Sequence, residues 1–307
     1  FRSYGLANFR DDIKMHGVVA NRVGSAVHAE MLKESLPEDL EFCGFLPKNM
    51  QLSLPERHLG LVQAQEIEDL DQKLNLAAEL LAENSSIPLP EPTVFELDTR
   101  NTPDKKLVAT TIAIAQDTAF SFIYQANIDL LIELGANLVY FSPIKGELLP
   151  ECDAIYLPGG YPELYLEALS GNIQLKQQIK QHVDANKALL AECGGMLYLN
   201  QTLSDVDGLS SELCGILNAC SQMQGSLAAL GLVEGELLPE QYLRGHTFHY
   251  SKTESAESVL CSPISQRGRK MDPVWLKKSV VASYIHWYFP SNPELVIKIF
   301  KGEISTL

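Results

Sequence analysis

Cys193 lies in the stretch KALLAECGGMLYL, residues 187–199: an apolar run, then Glu192-Cys193-Gly194-Gly195, then the start of an apolar helical pattern. A cysteine in a sharp strand-to-helix turn projects above the sheet. The positive end of the following helix favours its thiolate. Such a turn needs small neighbours, which Gly194 and Gly195 supply, and it leaves the Gly194 N–H free to bind an oxyanion. The plain alternative, a buried structural cysteine before a glycine turn, is equally compatible with this pattern alone.

Two further stretches suit the same chemistry. In AIYLPGGYPELY, residues 154–165, an apolar run enters Pro158-Gly159-Gly160, exposing backbone N–H groups that no side chain covers. That suits an oxyanion hole facing the cysteine, although taken alone a plain strand-ending turn is the better reading. In SYIHWYFPSNP, residues 283–293, His286 follows an apolar, β-branched run and precedes a proline-bounded loop. It is a candidate general base for the Cys193 thiol, with His246 and His249 of RGHTFHYS (residues 244–251) as rivals. A lone histidine is more often structural than catalytic. The order oxyanion loop, cysteine elbow, late histidine outweighs its separate parts.

The elements that must position these groups alternate along the chain. Residues 107–115 predict a strand, 123–134 a helix ending at Gly135, 137–141 and 154–157 strands, 173–186 a polar helix, and 188–191 a strand. Continuous apolar strands between amphipathic helices predict a doubly wound parallel sheet with its ligand at the carboxyl ends of the strands. That rule singles out the loops at 158–161 and 192–195. Nearer the start, 15–21 and 42–46 read as strands, with helices over 26–36 and 64–83. Between the halves, residues 85–104 hold Pro88, Pro90, Pro92 and Pro103 and read as an extended linker.

Bulk properties narrow the function classes. With 39 acidic against 24 basic residues, the net charge of −15 argues against a nucleic-acid partner, whose phosphates need Lys and Arg. The six cysteines are scattered without a C-x-x-C pair, so they read as reduced thiols and not as a disulfide framework or a metal site. No apolar run nears the ~18 residues of a membrane span, and no signal peptide opens the chain. A cytoplasmic protein of two α/β domains, acting on small molecules, is the expectation.

The blocks NRVGS (residues 21–25), LPERHLGL (54–61), LPGGYPELY (157–165), AECGGMLYL (191–199), RGHTFHYS and SYIHWYFPSNP occur in this order over nearly the whole chain. In this the sequence resembles the cobyrinic acid a,c-diamide synthase family. Its members pair an ATP-dependent amidoligase domain with a class I-type glutaminase domain. A related amidase of later corrinoid intermediates shares the elbow, but LPERHLGL and GGYPELY favour the diamide synthase branch.

The resemblance implies residues 1–84 as the later part of a P-loop-type, dethiobiotin-synthetase-like domain, 85–106 as linker, and 107–307 as a flavodoxin-like glutamine amidotransferase domain. It implies Cys193 as nucleophile and His286 as general base and acid, with an oxyanion hole near Gly160 and Gly194. L-glutamine would be the ammonia donor, with ATP and Mg2+ serving the complete enzyme. Glu56, Arg57 and His58, with His246 and His249, are candidate contacts to substrate carboxylates or nucleotide. For the first three the alternative is a solvated charged turn after Pro55. A homodimer is compatible with the resemblance.

Three departures qualify it. Many class I glutaminases carry a glutamate two positions after the histidine, where this chain has Tyr288; the resembled family generally lacks it. Thr247 stands where the family usually has glutamate. No G-x-x-x-x-G-K-[ST] phosphate loop occurs, and the first residue is Phe1, so an incomplete sequence is expected. The open alternatives are a stand-alone or degenerate glutaminase, or a cysteine hydrolase of the same fold.

Overall fold

The computed structural model describes residues 15–57, 60–62, 64–87 and 104–304, with the isolated positions 5, 6, 8, 9, 92 and 94. The chain divides into two compact units, Phe1–Thr99 and Arg100–Leu307. The division falls inside the proline-rich stretch, most of which lies outside the described residues.

In the first unit, β1 (Gly17–Val23) and β2 (Glu41–Pro47) pair in parallel, connected through helix α1 (Ala26–Glu34). The Ser25 hydroxyl caps α1 by accepting from the His28 N–H, so the helix starts where a small polar residue meets the apolar pattern. The expected helix over 64–83 proves to be two pieces, a 3-10 turn at Ala64–Glu66 and then α2 (Leu70–Asn84). Val27 and Met31 of α1 remain exposed. Glu56–Arg57 forms a two-residue strand paired with Gly60–Leu61.

The second unit is built on a seven-stranded sheet. In chain order its elements are β3 (Thr111–Ala115), helix α3 (Gln125–Glu133), β4 (Asn137–Phe141), β5 (Ala154–Leu157), helix α4 (Ile173–Asp184), β6 (Ala188–Glu192) and the short helix α5 (Gly194–Leu199). Later come β7 (Ala229–Leu238), β8 (Gln241–His249), β9 (Ser258–Cys261), β10 (Val274–Lys277), β11 (Val280–Ser283), β12 (Ile285–Tyr288) and helix α6 (Pro293–Phe300).

The strand order is β9-β10-β11-β6-β5-β3-β4. From β11 to β4 every pairing is parallel, while β9 and β10 add an antiparallel edge. Every residue of β5, β6 and β11 is buried, as expected of central strands covered on both faces. Helix α4 turns Leu175, Ile179 and Val183 inward at spacings of four, and the Asn172 side chain caps it through the Leu175 N–H. At the other end of the unit, Asn292 caps α6 and Pro293 opens it. Leu295 and Phe300 of α6 are buried in one core with Tyr156, Trp287 and Phe289.

The flavodoxin-like sheet is therefore present, but it is not the whole unit. Residues 200–290 also form two four-stranded sheets. In one, β7, β8 and β12 lie in that order beside the short strand Ile264–Ser265, all antiparallel. The expected strand over 107–115 is shorter, because 107–110 is a turn with Ala109 at φ +65°. The sheet reverses strand order between β3 and β5, and the loops after β3, β5 and β6 meet there. Open α/β sheets bind their ligands at such a point.

Candidate active site

Cys193 is the first residue after β6 and the N-cap of α5. Its backbone, at φ +43° and ψ −108°, lies where side-chain-bearing residues are rarely found. The hold is firm: its N–H donates to the Ser283 carbonyl of β11 at 2.7 Å, and its carbonyl accepts from the Leu197 N–H at 2.9 Å. Such strain persists only when the surroundings fix it, and it recurs at functional sites.

The two glycines after β5 pack against this elbow. A methyl group on Gly194 would lie 2.9 Å from the Gly160 nitrogen and 3.0 Å from its oxygen, so the two glycine backbones touch. A methyl group on Gly195 would meet the Leu157 carbonyl at 2.1 Å. The loop after β3 closes the third side, with the Phe122 N–H donating to the Gly159 carbonyl at 3.0 Å.

His286 comes from β12. A methyl group on Gly159 would lie 2.2 Å from its Cε1, 2.9 Å from its Nδ1 and 3.3 Å from the Cys193 Cβ. Only a bare α-carbon at 159 lets the imidazole and the cysteine approach the same point. Strands β8 and β12 place His246 directly opposite His286, and the two rings stack with centroids 4.9 Å apart. The Tyr124 hydroxyl is 2.6 Å from His246 Nδ1. Beyond these rings runs a cleft of about 1640 Å³, whose lining includes Arg244, Lys270 and Tyr288.

The electrostatics differ from the expected thiolate. Burial pushes the Cys193 thiol up to about 12, with Glu163 and Glu192 adding to the rise and only the Gly194 N–H opposing it. Burial, with His246 and His249 nearby, takes His286 down to about 3. The pair is therefore a neutral thiol beside a neutral imidazole. Desolvation outweighs whatever one short helix offers the sulfur.

Not every sequence candidate joins the site. His249 points to the opposite face of β8, stacked on Tyr284 at 3.6 Å, with Nε2 3.2 Å from the Asp272 carboxylate and Nδ1 2.9 Å from the Ser251 carbonyl. Glu56 and Arg57 fall in the first unit's short hairpin, and His58 lies outside the described residues. Sequence reasoning missed Tyr124, Asn127, Glu163 and Glu192. Of these, Glu192 left a signal: an acid closing an otherwise apolar strand. Among the described residues no three His, Cys, Asp or Glu side chains gather as metal ligands, and no helix is long and apolar enough to cross a membrane.

Residues 111–294 match the CobB/CobQ-like glutamine amidotransferase domain. The chain belongs to that family. The full chain bears out the resemblance to the a,c-diamide synthases. It is 47% identical to the hydrogenobyrinate a,c-diamide synthase of Pseudomonas aeruginosa, over 95% of this chain and 67% of that protein. It is 36% identical to the cobyrinate a,c-diamide synthase of Herminiimonas arsenicoxydans, over 95% of this chain and 67% of that protein. A solved glutamine amidotransferase from Thermotoga maritima aligns over 58% of this chain and 75% of its own, at 16% identity and a TM-score of 0.41. The match to the CobB/CobQ-like domain runs from β3 to the first turn of α6, and so contains every element that touches Cys193 and His286.

Proposed function

We propose that the second unit hydrolyses glutamine and that the ammonia serves amidation of the a and c carboxylates of a cobyrinate-type corrinoid, a step of cobalamin biosynthesis. The observation that carries the first half is the convergence of Cys193 and His286 on Gly159, beside the touching backbones of Gly160 and Gly194. The second half rests on the relatives' names.

The chemistry follows from two neutral partners. Glutamine places its side-chain carbonyl over the elbow, and the Cys193 sulfur attacks the carbon while its proton passes to His286. A C–S bond forms, and the carbonyl π pair becomes an oxyanion that the Gly160 and Gly194 N–H groups receive. His286 then returns the proton to the departing nitrogen, ammonia leaves, and a glutamyl thioester remains. Water, deprotonated by His286, cleaves the thioester to glutamate and free thiol. Because the thiol is neutral at rest, attack and proton transfer are coupled, and the reaction waits for a bound amide.

Amide formation from a carboxylate and ammonia requires an activated carboxylate, which ATP and Mg2+ provide in the complete reaction. The sequence contains no G-x-x-x-x-G-K-[ST] loop, so no residue of this chain is assigned to the nucleotide and no step is derived through it. His246, which lines the cleft beside His286, is the strongest of the remaining substrate-contact candidates.

The test is glutamate release from glutamine, with mass spectrometry of the protein after a diazo-ketone analogue of glutamine. Wild type releases glutamate and gains one adduct, on Cys193. Cys193→Ala does neither. His286→Ala turns over about 10²–10⁴-fold more slowly. A folded Cys193→Ala protein that still hydrolyses glutamine refutes the assignment.

A further inference from the structure

β12 carries His286 but pairs with a neighbouring strand, β8, on one side only. An unpaired edge leaves main-chain N–H and C=O groups to be satisfied by other means, and in a buried strand they cannot go to water. Side chains take this edge. The Trp287 N–H donates to Glu192 Oε1 at 3.0 Å, and the Trp287 carbonyl accepts from the Asn127 amide at 2.7 Å. The Asn127 side-chain carbonyl in turn accepts from the Phe289 N–H at 2.8 Å. Glu192 is 1% exposed and Asn127 is fully buried. Tyr156 completes the set by donating to Glu192 Oε2 at 2.8 Å.

The sequence positions give these bonds a meaning beyond edge repair. Glu192 immediately precedes Cys193, and Trp287 immediately follows His286. One side chain thus ties the nucleophile's elbow to the base's strand. At position 288, where many class I glutaminases carry a carboxylate to orient the ring, Tyr288 is 42% exposed. A carboxyl buried among apolar strands is costly, and its replacement by an apolar side chain of similar volume often does not harm stability. A role in holding the dyad accounts for a carboxyl here.

We propose that Glu192 is the positioning residue of the dyad, fixing His286 through the Trp287 peptide instead of through the imidazole, with Asn127 holding the other side of that peptide. The proposal rests on the glutaminase reading above. Glu192 touches no reacting atom. It sets the distance over which the Cys193 proton must travel, and a displacement of about 1 Å in such a pair is worth on the order of 100-fold in rate.

The experiment is steady-state glutamine hydrolysis by the full chain and three variants, each checked for folding by circular dichroism and thermal melting. Glu192→Gln keeps the reach and an acceptor for the Trp287 N–H. Glu192→Met keeps the volume and loses the acceptor. Glu192→Asp keeps the carboxyl and loses the reach. The expected pattern is at least one third of wild-type kcat for Glu192→Gln. The Met and Asp variants should fall at least 30-fold in kcat, with KM changed less than threefold. If Glu192→Asp does not fold, the Gln and Met pair decides. A folded Met variant within threefold of wild-type kcat overturns the proposal. So does an Asp variant that restores activity where Gln does not, because the acidity of the carboxyl and not its position would then matter. A wild-type chain that hydrolyses no glutamine sinks the glutaminase reading itself, and this proposal with it.

Discussion

Thr247 follows His246 on β8 but faces inward, where it is buried against the sheet. Among the described residues its hydroxyl oxygen has no hydrogen-bond partner. An unsatisfied buried hydroxyl costs about 1–3 kcal/mol, whereas a methyl group of the same shape costs nothing. Thr247→Val is therefore expected to stabilise the protein by about 1 kcal/mol, seen as a higher melting temperature, with glutamine hydrolysis unchanged. A lower melting temperature would mean that the hydroxyl is satisfied in solution. The sequence marked this position as unusual, since the resembled family has glutamate there, but not which way the side chain points. The turns that carry Cys193, Gly160 and Gly194 were readable because apolar runs ending in glycine mark strand ends, and His286 because its apolar, β-branched run comes third after the oxyanion loop and the cysteine elbow. Glu192, Asn127 and Tyr124 were not, because each acts on atoms far away in the chain: Asn127 bonds main-chain groups of residues 287 and 289.

The turn after β5 is where element geometry and chemistry coincide. Gly159 leaves room for His286 Cε1, and Gly160, at φ +159°, leaves room for the Ala119 carbonyl, which a methyl group would meet at 2.1 Å. Gly159→Ala should leave β5 in place, since the strand is buried along its whole length, but push the imidazole away from Cys193. The expected loss is at least 100-fold in kcat with a smaller change in KM, read by glutamate release. A Gly159→Ala protein of normal kcat would show that the imidazole does not need its observed place. The parallel core was legible for the reason that made this turn legible: fully buried strands read as unbroken apolar runs. The antiparallel sheets of residues 200–290 were not. Several of their strands are only two to four residues long, and β8 alternates in and out around polar and histidine positions that mask the period of two.

In the second unit, the buried Glu192 and the half-buried Glu163 set the response to pH. Burial takes Glu192 up to about 8, against the Trp287 N–H and the Tyr156 hydroxyl, and takes Glu163 up to about 7. A carboxyl whose folded value is raised keeps its proton in the folded state where the unfolded chain has released it. Stability therefore falls as pH rises from the ordinary carboxylate range to the folded value. His286, taken down to about 3 from 6.5, works in the other direction and only below about 6.5. From pH 6.5 the carboxyls dominate, Glu163 up to about 7 and Glu192 up to about 8, each contributing a loss of up to about 1.4 kcal/mol per pH unit. The melting temperature should drop across this interval, and Glu192→Gln should flatten the drop. An equal slope in both proteins would mean that Glu192 is ionised throughout.

The neutral state of Cys193 also bears on how the protein ages in the presence of oxygen and electrophiles. Thiolates attack peroxide and simple alkylating agents, and a thiol pushed up to about 12 and only 7% exposed presents almost no thiolate to do so. Of the six cysteines, Cys220 is the exposed one. Iodoacetamide should therefore label Cys220 first and leave Cys193 largely intact, as peptide mapping over time will reveal. A nucleophile that is inert until its own substrate arrives escapes sulfenic acid formation. It also reserves covalent inhibition for compounds that resemble glutamine closely enough to enter the pocket and draw the proton onto His286.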